Sequence, residues 1–170
     1  MSSLIGHAAA GVTVYLATNR SRPPAAHAAL LTFTLLAICA DFDYLGIWLF
    51  HYSPTPRITH TLIFALVAAV IAWLATRPIR KRGSAHLPFV ALLAASLSHP
   101  LLDLLVGAHP LPLFWPSANA DVSVPGILPS AGRLAVNNYY LWRNLLIELA
   151  VLLPAFALLV AIARQVPRHI

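Results

Sequence analysis

The sequence has few charged residues and almost no cysteine. Only 9% of its 170 residues are charged and 59% are hydrophobic, whereas a soluble globular domain carries about 25% charged residues. A soluble fold of this size would lack the polar side chains to cover its surface, and a disordered chain would be far more polar. The single cysteine, Cys39, excludes an intramolecular disulfide. The remaining class is an integral membrane protein with a single domain over residues 1–170.

Acidic residues are scarcer than basic ones, five against eleven, which gives a formal net charge of +6 and a pI near 10.3. Such a balance can indicate nucleic-acid binding. Here, however, the basic residues are few and lie at the ends of apolar runs, where membrane proteins place them. We therefore expect no nucleic-acid partner, and we expect a lipid bilayer around the chain.

Five apolar segments follow one another along the chain. They cover about residues 4–18, 25–50, 59–76, 87–107 and 141–163. Four of them are long enough to cross the hydrocarbon core, which takes roughly 17–25 residues, and the first is short. The pattern predicts an all-α polytopic bundle of about five helices. It also predicts an outer loop over residues 108–140, which is too long to be a simple connector.

Basic residues predict the orientation of this bundle. Eight of the eleven lie in three stretches, residues 19–24, residues 77–86 and the C-terminal tail. If these stretches share one side, the positive-inside rule makes that side cytoplasmic. Five crossings then place the N-terminus outside and the C-terminus inside.

Ionisable residues concentrate in the outer half of this topology. Such groups are costly within a membrane and usually face the interior of the bundle. Two interpretations are open, namely side-chain pairs that hold helices together and a metal site. The convergence of several segments on one depth favours the metal site. The residues concerned are His7, Asp41, Asp43, His60, His99, Asp103 and Glu148.

Imidazole and carboxylate groups suit zinc, and to a lesser degree manganese or iron. His99 and Asp103 are four residues apart, so a helix places them on one face. Asp41 and Asp43 are two apart, so a regular helix would point them in nearly opposite directions. Either the helix loosens there, with Gly46 close by, or one aspartate is a ligand and the other supports it. The spacing leaves this choice open.

Short motifs around these residues resemble the YdjM-like membrane-bound metal-dependent hydrolases. They are Gly6-His7, Asp41-Phe42-Asp43, Thr59-His60-Thr61, Ser98-His99 with Asp103, and Leu113-Phe114-Trp115-Pro116. Their order and approximate spacing agree over about residues 6–116. That family is in turn similar to the zinc-dependent phospholipase C and single-strand nuclease superfamily, whose members are helical enzymes that bind three zinc ions.

The resemblance implies a set of ligands for one to three Zn²⁺ ions, other divalent metals being alternatives. These ligands are His7, Asp41, Asp43, His60, His99 and Asp103. Glu148 and His109 are additional candidates. The chain departs from the related families in two ways. It lacks a histidine directly before Arg57, and it has one clear His-x-x-x-Asp motif instead of two. These departures favour one or two ions.

The leading hypothesis is a metal-dependent hydrolase in the bacterial inner membrane, a location that follows from the resemblance. Its site would face the extracytoplasmic side and cleave a phosphoester of a phospholipid or polyprenyl-phosphate head group with a metal-activated water. Asp41 or Asp43 would accept the proton of that water. Arg57 would bind a phosphate oxygen, because the planar guanidinium group suits the geometry of phosphate. The candidate substrate-binding residues are Arg133, Arg143 and Asn138.

Two other classes of function remain open. Intramembrane Asp and His also mark ion paths in transporters, but the inner halves of the segments are nearly pure Ala, Leu and Val, and transporters are usually larger and repetitive. A metal-stabilised binding or scaffold protein without turnover is the other alternative. A spare coordination position would distinguish an enzyme from such a scaffold.

Overall fold

The computed structural model describes residues 2–20, 24–51, 55–107, 109–118, 120–130 and 137–165. Seven α-helices lie in these ranges: α1 (Leu4–Thr18), α2 (Ala26–Ile38), α3 (Asp43–Phe50), α4 (Leu62–Ala75), α5 (Arg77–Lys81), α6 (Phe89–Val106) and α7 (Tyr139–Gln165). Two short 3₁₀ helices, Cys39–Phe42 and Ile58–His60, precede α3 and α4. The described residues form no β-strand apart from one isolated bridge between Leu111 and Val122. The predicted all-α class is confirmed.

The helices follow the predicted apolar segments closely, with one exception. The segment over residues 25–50 is not a single helix, because α2 ends at Ile38 and the chain turns through Cys39–Phe42 before α3 begins. The loosening that the spacing of Asp41 and Asp43 allowed is therefore present, and it lies before Gly46. It changes the direction in which side chains leave the backbone at the two aspartates.

Two described helices, α6 and α7, are long and apolar enough to cross a membrane. By contrast, α1 has 15 residues and α4 has 14. At about 1.5 Å per residue these helices are about 22 and 21 Å long, shorter than a hydrocarbon core of about 30 Å. Helix length thus does not confirm the prediction of five spans.

Helix α1 contacts α2, α6 and α7, while α6 also contacts α2 and α4. The approach of α1 to α2 is close at Gly11. A Cβ added there would lie 2.6 Å from the carbonyl oxygen of Phe33 and 2.7 Å from the Cα of Thr34. Small residues at helix crossings allow such close backbone contact, which strengthens packing where both helices are apolar.

The two ends of the bundle differ in polarity. Where α1 ends, the interior is apolar and includes the fully buried Phe33 and Leu92. At this end, Asn19 connects the end of α1 with the segment before α6. Its side chain forms two hydrogen bonds of 3.1 Å with the backbone of His86. Where α1 begins, the buried side chains are polar, and these form the site described below.

The long loop after α6 packs on this polar end. Gly107 ends α6 in the left-handed conformation, with φ of 58°, and its backbone touches that of Gly126 so closely that a Cβ on either would overlap the other segment. The carbonyl of Leu113 accepts a hydrogen bond of 3.0 Å from the N–H of Leu62 at the start of α4. The described parts of the loop therefore cover the end of the bundle.

Candidate metal centre

Four elements bring three histidines and two aspartates together at the polar end. His7 lies one turn into α1, and Asp41 lies in the 3₁₀ helix between α2 and α3. His60 closes the second 3₁₀ helix, while His99 and Asp103 lie one turn apart in α6. The Nε2 of His99 is 3.6 Å from Oδ2 of Asp103. The predicted common face of this pair is confirmed.

Three ligand atoms of the cluster form a nearly equilateral triangle. The Nε2 atoms of His60 and His99 are 3.4 Å apart, and Oδ2 of Asp103 lies 3.5 Å from the first and 3.6 Å from the second. A point equidistant from the corners of such a triangle lies about 2.0 Å from each of them, which is the length of Zn–N and Zn–O bonds. The spacing therefore suits one ion shared by these atoms.

Asp41 and Asp103 each direct their two oxygens to different histidines. Oδ1 of Asp41 lies 3.6 Å from the Nε2 of His99 and 3.8 Å from that of His60. Oδ2 of Asp41 and Oδ1 of Asp103 lie 4.0 and 3.4 Å from the Nε2 of His7. Each carboxylate thus bridges His7 and the His60–His99 pair, and the rings of His7 and His99 stack with their centroids 3.8 Å apart.

Several buried atoms of this cluster have no hydrogen-bond partner among the described residues. They are both ring nitrogens of His7, Oδ1 of Asp41 and Oδ2 of Asp103. Buried polar atoms in folded proteins are almost always bonded, and an unpaired one costs about 1–3 kcal/mol. A cation bound by the carboxylate oxygens and by Nε2 of His7 would remove most of this cost, so the residues fit a metal ion.

Hydrogen bonds outside the cluster orient its histidines. Nδ1 of His99 lies 2.8 Å from the carbonyl oxygen of Ala37. Because a carbonyl only accepts, this nitrogen carries the proton and Nε2 keeps its lone pair for the site. Nδ1 of His60 lies 3.0 Å from the hydroxyl of Thr59. Partners of this kind fix the ring orientation of metal-binding histidines.

Asp43 lies beside the cluster and belongs to neither group of metal-ligand atoms in it. Its carboxylate accepts two hydrogen bonds from the guanidinium of Arg57, at 2.7 and 2.8 Å, and one of 3.0 Å from the Thr59 hydroxyl. Burial alone would lower the pKa of Arg57, but the hydrogen bonds and charge of Asp43 hold that pKa above its ordinary value. Of the two aspartates, Asp41 faces the histidines and Asp43 supports them.

Glu148 is fully buried, and its described hydrogen bonds go to the start of the chain. Its carboxylate accepts the hydroxyl of Ser2 and the N–H of Ser3, the latter at 3.0 and 3.1 Å. The N–H of Ser2 in turn donates to Oδ1 of Asp103 over 2.8 Å. Gly6 makes room for this arrangement, because a Cβ there would overlap the Glu148 carboxylate. Ser2 could not be predicted as part of the site, because a serine outside the apolar segments carries no compositional signal.

The remaining candidate ligand, His109, is exposed and lies outside both groups of ligand atoms. With Arg57, Tyr44 and Asp121 it lines a cavity of about 340 Å³ beneath the loop. Since Arg57 also binds Asp43, this cavity adjoins the residues that support the cluster.

Two of the three predicted substrate-binding residues, Arg143 and Asn138, lie outside the cluster. Arg143 is exposed, and its guanidinium lies 5.1 Å from the ring of Tyr140. The side chain of Asn138 accepts a hydrogen bond of 3.1 Å from the N–H of Tyr140, near the start of α7. Arg133 falls outside the described residues.

One family of known proteins matches nearly the whole chain. The sequence profile of the YdjM inner membrane protein family matches residues 1–168. The chain belongs to the YdjM inner membrane protein family. Membership supports location in the inner membrane and association with the lipid bilayer, in line with the two apolar helices of membrane-spanning length.

No curated protein and no solved structure matches the chain. The YdjM match is to a family of inner membrane proteins, and it says nothing of a reaction. The resemblance to the zinc-dependent phospholipase C and nuclease superfamily therefore stays a prediction. What the described residues contribute is a buried His and Asp cluster that could hold a metal ion.

Proposed function

We propose that this YdjM-family protein is a membrane-embedded, metal-dependent hydrolase that cleaves a phosphoester of a lipid head group. The observation that supports this most is the buried cluster of His7, Asp41, His60, His99 and Asp103. Its nitrogen and oxygen atoms lie at the separations of metal ligands, and several have no other partner among the described residues. A purely structural network would use these atoms in mutual hydrogen bonds.

Zinc is the ion that we propose, at one or two positions. The described residues offer two groups of three ligand atoms, one from His60, His99 and Asp103 and the other from His7, Asp41 and His99. Nε2 of His7 also lies 3.4 Å from Oδ1 of Asp103. A position with three protein ligands leaves room for water or substrate, as catalytic zinc sites do.

A bound divalent cation would supply Lewis acidity, both to the attacking water and to the phosphate oxygens. Asp41 is the cluster carboxylate that solvent reaches, with a side chain 10% exposed against 1% for Asp103. We therefore assign to Asp41 the acceptance of the proton from water. Arg57 lines the adjoining cavity and would bind a non-bridging phosphate oxygen, while Asp43 holds its guanidinium in place.

A lipid substrate fits the position of the site in the molecule. The cluster lies at the end of an apolar bundle, and the exposed face of α7 is built from residues such as Leu146, Val151 and Leu158. A phospholipid or polyprenyl phosphate would present its phosphate near such an end. The distribution of basic residues favours the extracytoplasmic side for this end, so the outer leaflet is the proposed source.

Metal content is the first test. The protein, purified in detergent without chelator, should contain at least about one zinc per chain by mass spectrometry. His99→Ala should lose that ion, because His99 contributes to both groups of ligand atoms. His86→Ala is the matched control, since His86 is exposed at the opposite end of the bundle. Stoichiometric zinc in His99→Ala, or no metal in the wild type, would contradict the assignment.

Hydrolysis is the second part of the same test. The metal-loaded protein is incubated with phospholipids and polyprenyl phosphates, and the release of phosphate or head group is measured. Release that disappears with His99→Ala supports the hydrolase. Bound zinc without turnover would instead favour a metal-stabilised binding protein, since structural zinc sites are closed by protein ligands.

A further inference from the structure

A second cavity lies at the end of the bundle opposite the metal centre. It has a volume of about 530 Å³ and opens between α1, α2 and α7. Its apolar wall includes Leu16, Ala26 and Leu30, and its polar wall includes Arg20, His27 and Arg164. Because α1 begins at the metal centre and ends here, the two sites are separated by about 20 Å along that helix.

The polar wall of this cavity carries positive charge and no acidic residue. The guanidinium of Arg20 is held near α7, where its Nη2 donates to the carbonyl of Ala163 over 2.6 Å. Arg164 is the next residue of α7 and lines the same cavity. Four of the five acidic residues of the chain lie in or beside the metal centre, and the fifth, Asp121, lines the other cavity. The charge here is therefore complementary to an anion.

The surroundings of the cavity indicate where that anion comes from. Leu158, Leu159 and Ile162, in the same part of α7, are each more than half exposed. Such a surface would be unfavourable in water but suits the acyl chains of a bilayer. A ligand with a charged head and apolar tails could place the head between the arginines and the tails along α7.

We propose that this cavity binds the phosphate of an anionic phospholipid from the leaflet at this end of the bundle. The two guanidinium groups would bind the phosphate oxygens, since Arg suits phosphate geometrically as well as by charge, and Leu16 and Leu30 would contact the glycerol and first methylenes. Basic pockets between membrane helices are known to bind anionic head groups. The proposal does not depend on the hydrolase function of the other end.

Lipid affinity in detergent tests this proposal. Delipidated protein is titrated with short-chain phosphatidylglycerol and with phosphatidylcholine of the same chain length, and bound lipid is counted by native mass spectrometry. We expect tighter binding of phosphatidylglycerol. Each arginine should contribute about fivefold to the affinity, so Arg164→Gln should weaken binding about fivefold and the double variant with Arg20→Gln about twenty-five-fold. Arg82→Gln, which removes an exposed charge near the same end but outside the cavity, should bind as the wild type does.

Equal affinity for the two lipids would overturn the proposal, as would equal affinity in Arg164→Gln and Arg82→Gln. Glycerol 3-phosphate is titrated as a third ligand. If it binds as tightly as the lipid, the site takes a free phosphoester and the lipid assignment is wrong. Thermal unfolding of each variant shows whether it is folded, and Arg164→Gln keeps the test decisive if Arg20→Gln does not fold.

Discussion

Asp41 and Asp43 are separated by one residue, yet they serve different partners. The 3₁₀ helix Cys39–Phe42 turns Asp41 towards the histidines, while Asp43 begins α3 and meets Arg57. The charge of Asp43 is balanced by that arginine. Among the described residues, Oδ1 of Asp41 has no hydrogen-bond partner. A bound cation would therefore stabilise the carboxylate of Asp41 more than that of Asp43.

This division predicts different outcomes for Asp41→Asn and Asp43→Asn. Asp41→Asn should lose at least one bound ion, because it removes a ligand charge from the cluster. Asp43→Asn should keep the ions at saturating metal and lower the affinity about tenfold, as is typical when a supporting partner is removed. Zinc titration with a competing chelator measures both. Equal loss of ions from the two variants would show that Asp43 is itself a ligand.

The residues of the cluster could be predicted because ionisable groups stand out in apolar segments. The separate roles of the two aspartates could not be predicted, because they depend on the local turn of the backbone at Cys39–Phe42. Ser2 and Thr59 hold ligands through single hydrogen bonds, and neither bond has a pattern in the sequence. Glu148 stood out for its burial cost, but its partners at the start of α1 became visible only in the structure.

At the scale of elements, helix contacts determine how closely the cluster can assemble. Gly11 allows α1 to lie against the backbone of α2, and α1 carries His7 to the ligands on α6. Gly46 in α3 offers the opposite environment, because nothing lies within 4 Å of a Cβ added there. The two glycines therefore form a matched pair for substitution by alanine.

We expect Gly11→Ala to destabilise the protein and Gly46→Ala to stabilise it slightly. At Gly11 the new methyl would meet backbone atoms at 2.6 and 2.7 Å, and overpacking of this kind costs about 1–3 kcal/mol. At Gly46 the change removes helix-interior glycine, which gains roughly 0.5–1 kcal/mol. The midpoint of thermal unfolding in detergent measures both changes. A midpoint for Gly11→Ala at or above that of Gly46→Ala would contradict the close crossing.

Element boundaries could be predicted wherever an apolar run ends at a proline, a glycine or a charge. Pro88 precedes α6 and Gly107 follows it, and the predicted segment over residues 87–107 agrees. The break between α2 and α3 has a weaker signal, the spacing of Asp41 and Asp43, because the chain is otherwise apolar on both sides of it. Hydropathy reports burial in the membrane and is insensitive to a change of helix type within an apolar stretch.

At the scale of the whole molecule, the described chain passes between the two ends of the bundle an odd number of times. α1 begins at the metal centre, whereas α7 ends at the cavity that Arg20 and Arg164 line. Basic connections gather at the second end and acidic residues at the first. This asymmetry is what the positive-inside rule needs to orient a protein. It also separates the His and Asp cluster, for which we propose a cation, from the basic cavity, for which we propose an anion.

The orientation that follows can be measured by cysteine labelling in intact cells. In a Cys39→Ala background, Ala120→Cys lies in the loop over the metal centre and Lys81→Cys lies in the basic connection at the other end. A membrane-impermeant maleimide should label Ala120→Cys from outside and Lys81→Cys only after the membrane is opened. The reverse pattern would place the metal centre on the cytoplasmic side and change the lipid pool available to it. Labelling of both from outside would contradict the placement of residues 81 and 120 at opposite ends of the bundle, because the two ends would then share one side of the membrane.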